Sequence, residues 1–188
     1  MQPVSIIIFL LFFPACMGIL RQAIWGTELT SQIIAIAMFF FCIEQARMAV
    51  KDLNQITEAK QLVSDIRLDN FYIVTVMTIV IELVGFYASA VWLGWGSIII
   101  LVSQVWFNLL ATVKIKTSPK NIIENWKISE RLPVLIADIV GLILVSVWML
   151  KFASFWISLI LGGMVVVYLS IKLLTSVNSY LKNPVSWS

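Results

Sequence analysis

Six apolar segments, each about as long as a bilayer is thick, dominate this 188-residue chain. A helix needs about 20 apolar residues to cross the hydrocarbon, and the segments cover roughly 4–24, 29–50, 71–92, 96–115, 132–150 and 152–174. Their hydrophobic residues form continuous runs instead of alternating, which predicts spanning helices and not a barrel. Hydrophobic residues make up 61% of the chain and charged residues 12%, against about a quarter charged in soluble proteins. The expected fold class is an all-α integral membrane protein: one domain, a six-span helical bundle with both termini cytoplasmic.

The orientation comes from Lys and Arg. With the N-terminus inside, eleven of them (Arg47, Lys51, Lys60, Arg67, Lys114, Lys116, Lys120, Lys127, Arg131, Lys172 and Lys182) fall on inner loops or helix ends. Only Arg21 and Lys151 fall outside, and such an excess marks the cytoplasmic face. Trp25, Trp92, Trp95, Trp148 and Trp156 then all reach the outer interface, where an indole keeps its N–H wet. The same rule suits a bacterial-type plasma or thylakoid membrane, or less readily the endoplasmic reticulum. Residues 4–20 are apolar but follow no Lys or Arg and contain Pro14, so they read as the first span, not a cleaved signal.

Gly94-Trp95-Gly96 is expected to turn the chain between spans three and four, and residues 151–154 between spans five and six. Residues 51–69 are charged and helix-compatible, with Leu53, Ile56, Val63 and Ile66 at helical spacing, so span two is expected to run on as a stalk. Ser118-Pro119 resembles a helix start, and Ile122, Ile123 and Trp126 share a helical face. A short helix in the inner interface is therefore expected over 118–132.

The chain has no histidine, which excludes histidine-held zinc or haem and a Ser-His-Asp hydrolase. Cys16 and Cys42 are isolated in apolar runs and read as small core residues. With no glycine-rich phosphate cradle or nucleophile–base pair, neither an enzyme nor a nucleic-acid binder is expected, and no metal site is assigned.

Ionisable groups inside spans are expensive and point to function. Glu44 and Arg47, three apart near the inner end of span two, read as an interfacial ion pair. Glu82 lies about midway along span three, and Asp138 lies in span five, nearer the inner side. Their surroundings match: Glu82-Leu-Val-Gly85 precedes Val91-Trp92 as Asp138-Ile-Val-Gly141 precedes Val147-Trp148. The offset of 56 makes spans 3–4 and 5–6 a candidate duplicated hairpin, an arrangement seen in transporters.

Gln104 and Asn108 share one face of span four at similar depth, with Tyr168 of span six about a turn away. A polar cluster of Glu82, Gln104, Asn108, Asp138 and Tyr168 is therefore expected. Such a cluster can handle protons or ions, ligate a hard cation such as magnesium, including one inside a pigment, or simply hold helices together. The cofactor stays unknown. Small residues at Gly85 and Ser89, and at Ser154, Ser158 and Gly162, mark faces for close helix packing.

The leading expectation is a non-catalytic integral membrane subunit, assembly factor or organiser of a larger membrane complex. The alternative is a small proton- or cation-coupled transporter or channel using the midplane carboxylates. The expected partners are the lipid bilayer and other membrane proteins or further copies of the chain.

Overall fold

The computed structural model describes residues 3–115 and 123–182. Six helices form its body: α1 (Pro3–Trp25), α2 (Leu29–Leu62), α3 (Ile66–Ser89), α4 (Leu93–Leu110), α5 (Ile128–Met149) and α6 (Ser154–Lys182). All six are long and apolar enough to cross a membrane, which makes this a multi-pass helical membrane protein. The 18-residue α4 extends about 27 Å at 1.5 Å per residue, barely the hydrocarbon thickness. The 34-residue α2 extends about 51 Å, so a good part of it must project beyond a bilayer.

α3, α4, α5 and α6 pack in succession, α2 touches both α6 and α3, and α1 lies against α2 and α3. The main apolar core fills the space between α1, α2 and α3, where Phe86 meets Phe12 at 5.8 Å and Phe41 at 6.2 Å between ring centroids. α2 runs unbroken to Leu62, and the chain re-enters helix at Ile66 after Asp65 accepts the Arg67 N–H at 2.8 Å. The end of α2 packs on its neighbours: Ile56 and Ala59 lie with Leu68, Phe71 and Val113 in a second apolar cluster.

That cluster exists because the connection after α4 is not the expected interfacial helix. Within 118–132, residues 118–122 lie outside the described residues, and the remainder folds differently. Ile123–Asn125 forms strand β2, paired antiparallel with β1 (Val113–Ile115), and α5 begins at Ile128. Pairing gives Val113 and Ile123 an apolar neighbourhood on Phe107 and Leu68, and it sets Lys114 opposite Glu124. Ile123 and Trp126 are thus partly buried against this second cluster.

The glycine turn is also corrected. The chain reverses at Ala90–Trp92, closed by Val91 and Trp92 N–H bonds to the Ala88 carbonyl, while Gly94 and Gly96 lie inside α4. No described glycine has positive φ. Gly96 serves close approach instead, since a Cβ there would run into Ser89 and the Gly85 carbonyl. Gly85 is equally tight: a methyl group there would lie 2.5 Å from a side-chain carbon of Ile100. Small residues thus let α3 and α4 cross nearly backbone to backbone.

On α6 the small-residue face is internal: Ser158 is fully buried and Gly162 faces Ile33 of α2. Gly141 of α5 faces Leu101 of α4, so the two sequence-matched glycines, Gly85 and Gly141, both serve α4. A duplicated hairpin would place Gly141 against α6. The α5–α6 turn carries two left-handed non-glycine residues, Lys151 at φ 60 and Ala153 at φ 45, a conformation that costs about 1 kcal/mol or more per residue.

Candidate functional site

Residues 75, 78, 82 and 89 recur at three, four and seven along α3 and so share a face; Thr75, Thr78, Glu82 and Ser89 are all buried there. Both threonine hydroxyls donate to their own helix, Thr75 to the Phe71 carbonyl and Thr78 to the Val74 carbonyl, each at 2.8 Å. Their oxygens keep acceptor capacity. Glu82 is 3% exposed and accepts a hydrogen bond from the Gln104 amide of α4.

One turn further along α4, Asn108 continues the run. Its amide donates both to the Gln104 backbone carbonyl, within α4, at 2.9 Å and to Asp138 of α5 at 3.2 Å. The Asn108 backbone carbonyl in turn accepts from Arg131. Glu82, Gln104, Asn108, Asp138 and Arg131 therefore form one hydrogen-bonded run across α3, α4 and α5. Tyr168 stands beside it: its ring meets Phe41 edge-on at 6.0 Å, and it lies within electrostatic reach of Glu82 and Asp138. No hydrogen bond joins Tyr168 to the run among the described residues.

Arg131 is the member that the sequence alone places among the loop charges. It is 3% exposed, lies over the Trp126 ring at 5.4 Å from the centroid, and donates to the Trp126 carbonyl at 3.1 Å. The carbonyl of Asn108 belongs to the last turn of α4, whose unpaired carbonyls carry partial negative charge, so a cation is well placed there. A signal exists in the sequence: Arg131 precedes Asp138 by seven residues, two helical turns on one face. Reading it requires knowing that α5 begins at Ile128 and not at Leu132.

At the end of the bundle that carries the β-hairpin, a cavity of about 170 Å³ is lined by Met48, Asp52, Phe71, Phe107, Lys114 and Trp126. Asp52 of α2 is within electrostatic reach of Glu82. Lys114 contacts Glu130 at 2.5 Å and Glu124 at 3.5 Å, and these carboxylates, Glu130 first, hold its ammonium above its ordinary range. Phe71, Thr75, Thr78 and Glu82 lie in line on α3, so the buried hydroxyls stand between this cavity and the carboxyl run. Glu44 and Arg47 pair bidentately at 2.7 and 2.8 Å, with Glu44 buried and Arg47 half exposed.

Among the described residues, no three Cys, Asp or Glu side chains gather in a way that could hold a metal ion. Cys16 and Cys42 are buried free thiols. No family model, no curated protein and no solved structure matches this chain.

Proposed function

We propose that this protein moves protons or a small cation to and from a buried carboxyl site reached from the inner end of the bundle. The observation that carries it is the buried polar cluster Glu82, Gln104, Asn108 and Asp138, whose two amides reach a carboxyl group on each neighbouring helix. Its magnitude decides between transport and plain packing. Interhelical hydrogen bonds in membranes average about 0.6 kcal/mol each, so the two that join α4 to α3 and α5 contribute about 1 kcal/mol. Placing a single ionised acid at mid-bilayer costs about 2.5–3.5 kcal/mol, and this run contains two acids. Packing alone returns less than two ionised acids would cost, which favours exchange of a proton or ion as their use.

In this reading the Asp52–Lys114 cavity admits water, Thr75 and Thr78 offer acceptors along α3, and Glu82 and Asp138 bind the proton or cation. Arg131 sets the electrostatics of the Asn108–Asp138 pair through the α4 terminus. The Lys and Arg excess supports an inside location for this cavity and for both termini.

The experiment is proton or cation flux in proteoliposomes with an internal pH or ion dye. Native protein is expected to show flux, and Glu82→Gln with Asp138→Asn to abolish it while the fold persists. Undiminished flux in the double variant would overturn the reading.

A second reading, a non-catalytic subunit or organiser of a membrane complex, is favoured by how thinly α5 and α6 are covered. Only 17% and 11% of their spanning windows are buried inside the chain, against 44% for α2, and Asp138 is only partly covered. A neighbouring membrane protein or another copy would close that side of the run. Purification from the native host in mild detergent tests it, with mass spectrometry for stoichiometric partners and an absorption spectrum for pigment. A lone, colourless chain counts against it.

A further inference from the structure

The cavity of about 170 Å³ at the hairpin end of the bundle has two kinds of wall. Asp52 and Gln55, three apart on α2 and so on one face, bring a carboxylate and an amide. Phe71 of α3, Phe107 of α4 and Trp126, just past β2, bring aromatic rings. The rings are contiguous, with centroids 6.1 Å apart for Phe71 and Phe107 and 6.3 Å for Phe107 and Trp126.

The two charges that line the cavity differ in their partners. Lys114 lies 2.5 Å from Glu130 and 3.5 Å from Glu124, so its ammonium is answered twice. Asp52 has no hydrogen bond or ion pair among the described residues, and Lys51 and Lys172 act on it only at longer range. Its oxygens are not among the sealed polar atoms, so a ligand can reach them. The unanswered group in this wall is therefore an anion beside aromatic rings, and its complement is a cation. A bare metal ion needs several oxygen ligands, and no such group of acids gathers among the described residues. An alkylated ammonium ion needs one counter-charge, and its methyl groups suit aromatic walls. The ligand must be small, because drug-sized molecules fill about 300 Å³ or more. Arg131 already lies over the Trp126 ring, which leaves Phe71 and Phe107 for the ligand.

We propose that this cavity binds a small alkylammonium ion, paired with Asp52 and packed on the rings of Phe71 and Phe107. Such binding does not require flux through Glu82 and Asp138.

Equilibrium dialysis of the full chain in mild detergent tests this, with radiolabelled choline as the probe. Native protein is expected to bind one choline per chain, saturably. Dimethylbutanol, the neutral isostere of choline, and potassium should each compete about tenfold more weakly, one lacking the charge and the other the methyl groups. Asp52→Asn should weaken choline binding about tenfold at an unchanged melting temperature, Asp52→Glu should restore part of it, and Phe107→Leu should weaken it about threefold. Absence of saturable binding, or choline held equally by native protein and a folded Asp52→Asn, would overturn the site. Equal competition by dimethylbutanol would overturn the charge, and equal competition by potassium would overturn the alkylammonium class. Should Asp52→Asn fail to fold, the two competitions on native protein decide alone.

Discussion

The two halves of α4 solve the same packing problem with opposite chemistry. Its first half meets α3 through Gly96 and Ser97, with Ser97 bonding its own Leu93 carbonyl at 2.8 Å, so contact rests on van der Waals closeness. Its second half meets α3 and α5 through Gln104 and Asn108, with contact carried by amide, carboxyl and guanidinium groups. The first seam depends on size and the second on partners. In lipid neither gains a hydrophobic driving force between helices, so the glycine seam holds shape, and the polar seam is where we propose that protonation or an ion acts.

The sharpest way to break this comparison is to add volume to the glycine seam. Gly96→Val should destabilise the bundle by roughly 3 kcal/mol through overpacking, since even a Cβ runs into Ser89 and the Gly85 carbonyl. Thermal unfolding in detergent measures it, and a loss under about 1 kcal/mol would show that the helices can part. In the polar seam, Arg131→Met should cost about 2 kcal/mol by leaving the Asn108 and Trp126 carbonyls without their donor. It should also alter the pH dependence of any flux, which Gly96→Val at matched stability should not.

Asp138→Asn sharpens the contrast, because its amide can still bond Asn108. The stability change should stay under about 1 kcal/mol while flux is lost; a stability loss as large as that of Gly96→Val would make the polar seam a structural clamp.

The smallest effect belongs to the turn between α2 and α3, away from both seams. Arg67, through its side-chain hydrogen bonds, holds the Asp65 carboxyl below its ordinary value near 3.8. A depressed folded-state value means the Asp65 contribution is complete above that pH and is lost as pH falls through the folded value. The melting temperature of native protein should therefore dip slightly more than that of Arg67→Ala as pH falls below the ordinary carboxyl value of 3.8. Parallel curves would show that this exposed pair contributes nothing.

The parts of this fold legible in the sequence are those governed locally. Helix length, apolar runs and the distribution of Lys and Arg concern one segment and its solvent, so six spanning helices follow from residue order alone. Glu82, Gln104, Asn108 and Asp138 stand out for a similar reason: a polar side chain in an apolar helix is conspicuous wherever that helix points. The stretch after α4 is not legible, because Ile123 and Trp126 satisfy a helical face and a hairpin equally well until Phe107 and Leu68 are beside them. Arg131 is hidden because α5 begins at Ile128, a turn before the apolar run that announces it.

By itself, then, the sequence determined that the chain folds as membrane helices and which polar groups those helices carry into lipid. Only the tertiary structure decided that Gln104 faces Glu82, that Asn108 bridges to Asp138, that Arg131 is buried at the end of α4, and that the 94–96 glycines pack instead of turn. The physical reason is the rotation of each helix about its own axis. Backbone hydrogen bonds form at every rotation alike, so only side-chain contacts between helices select one, and those contacts join residues far apart in the chain.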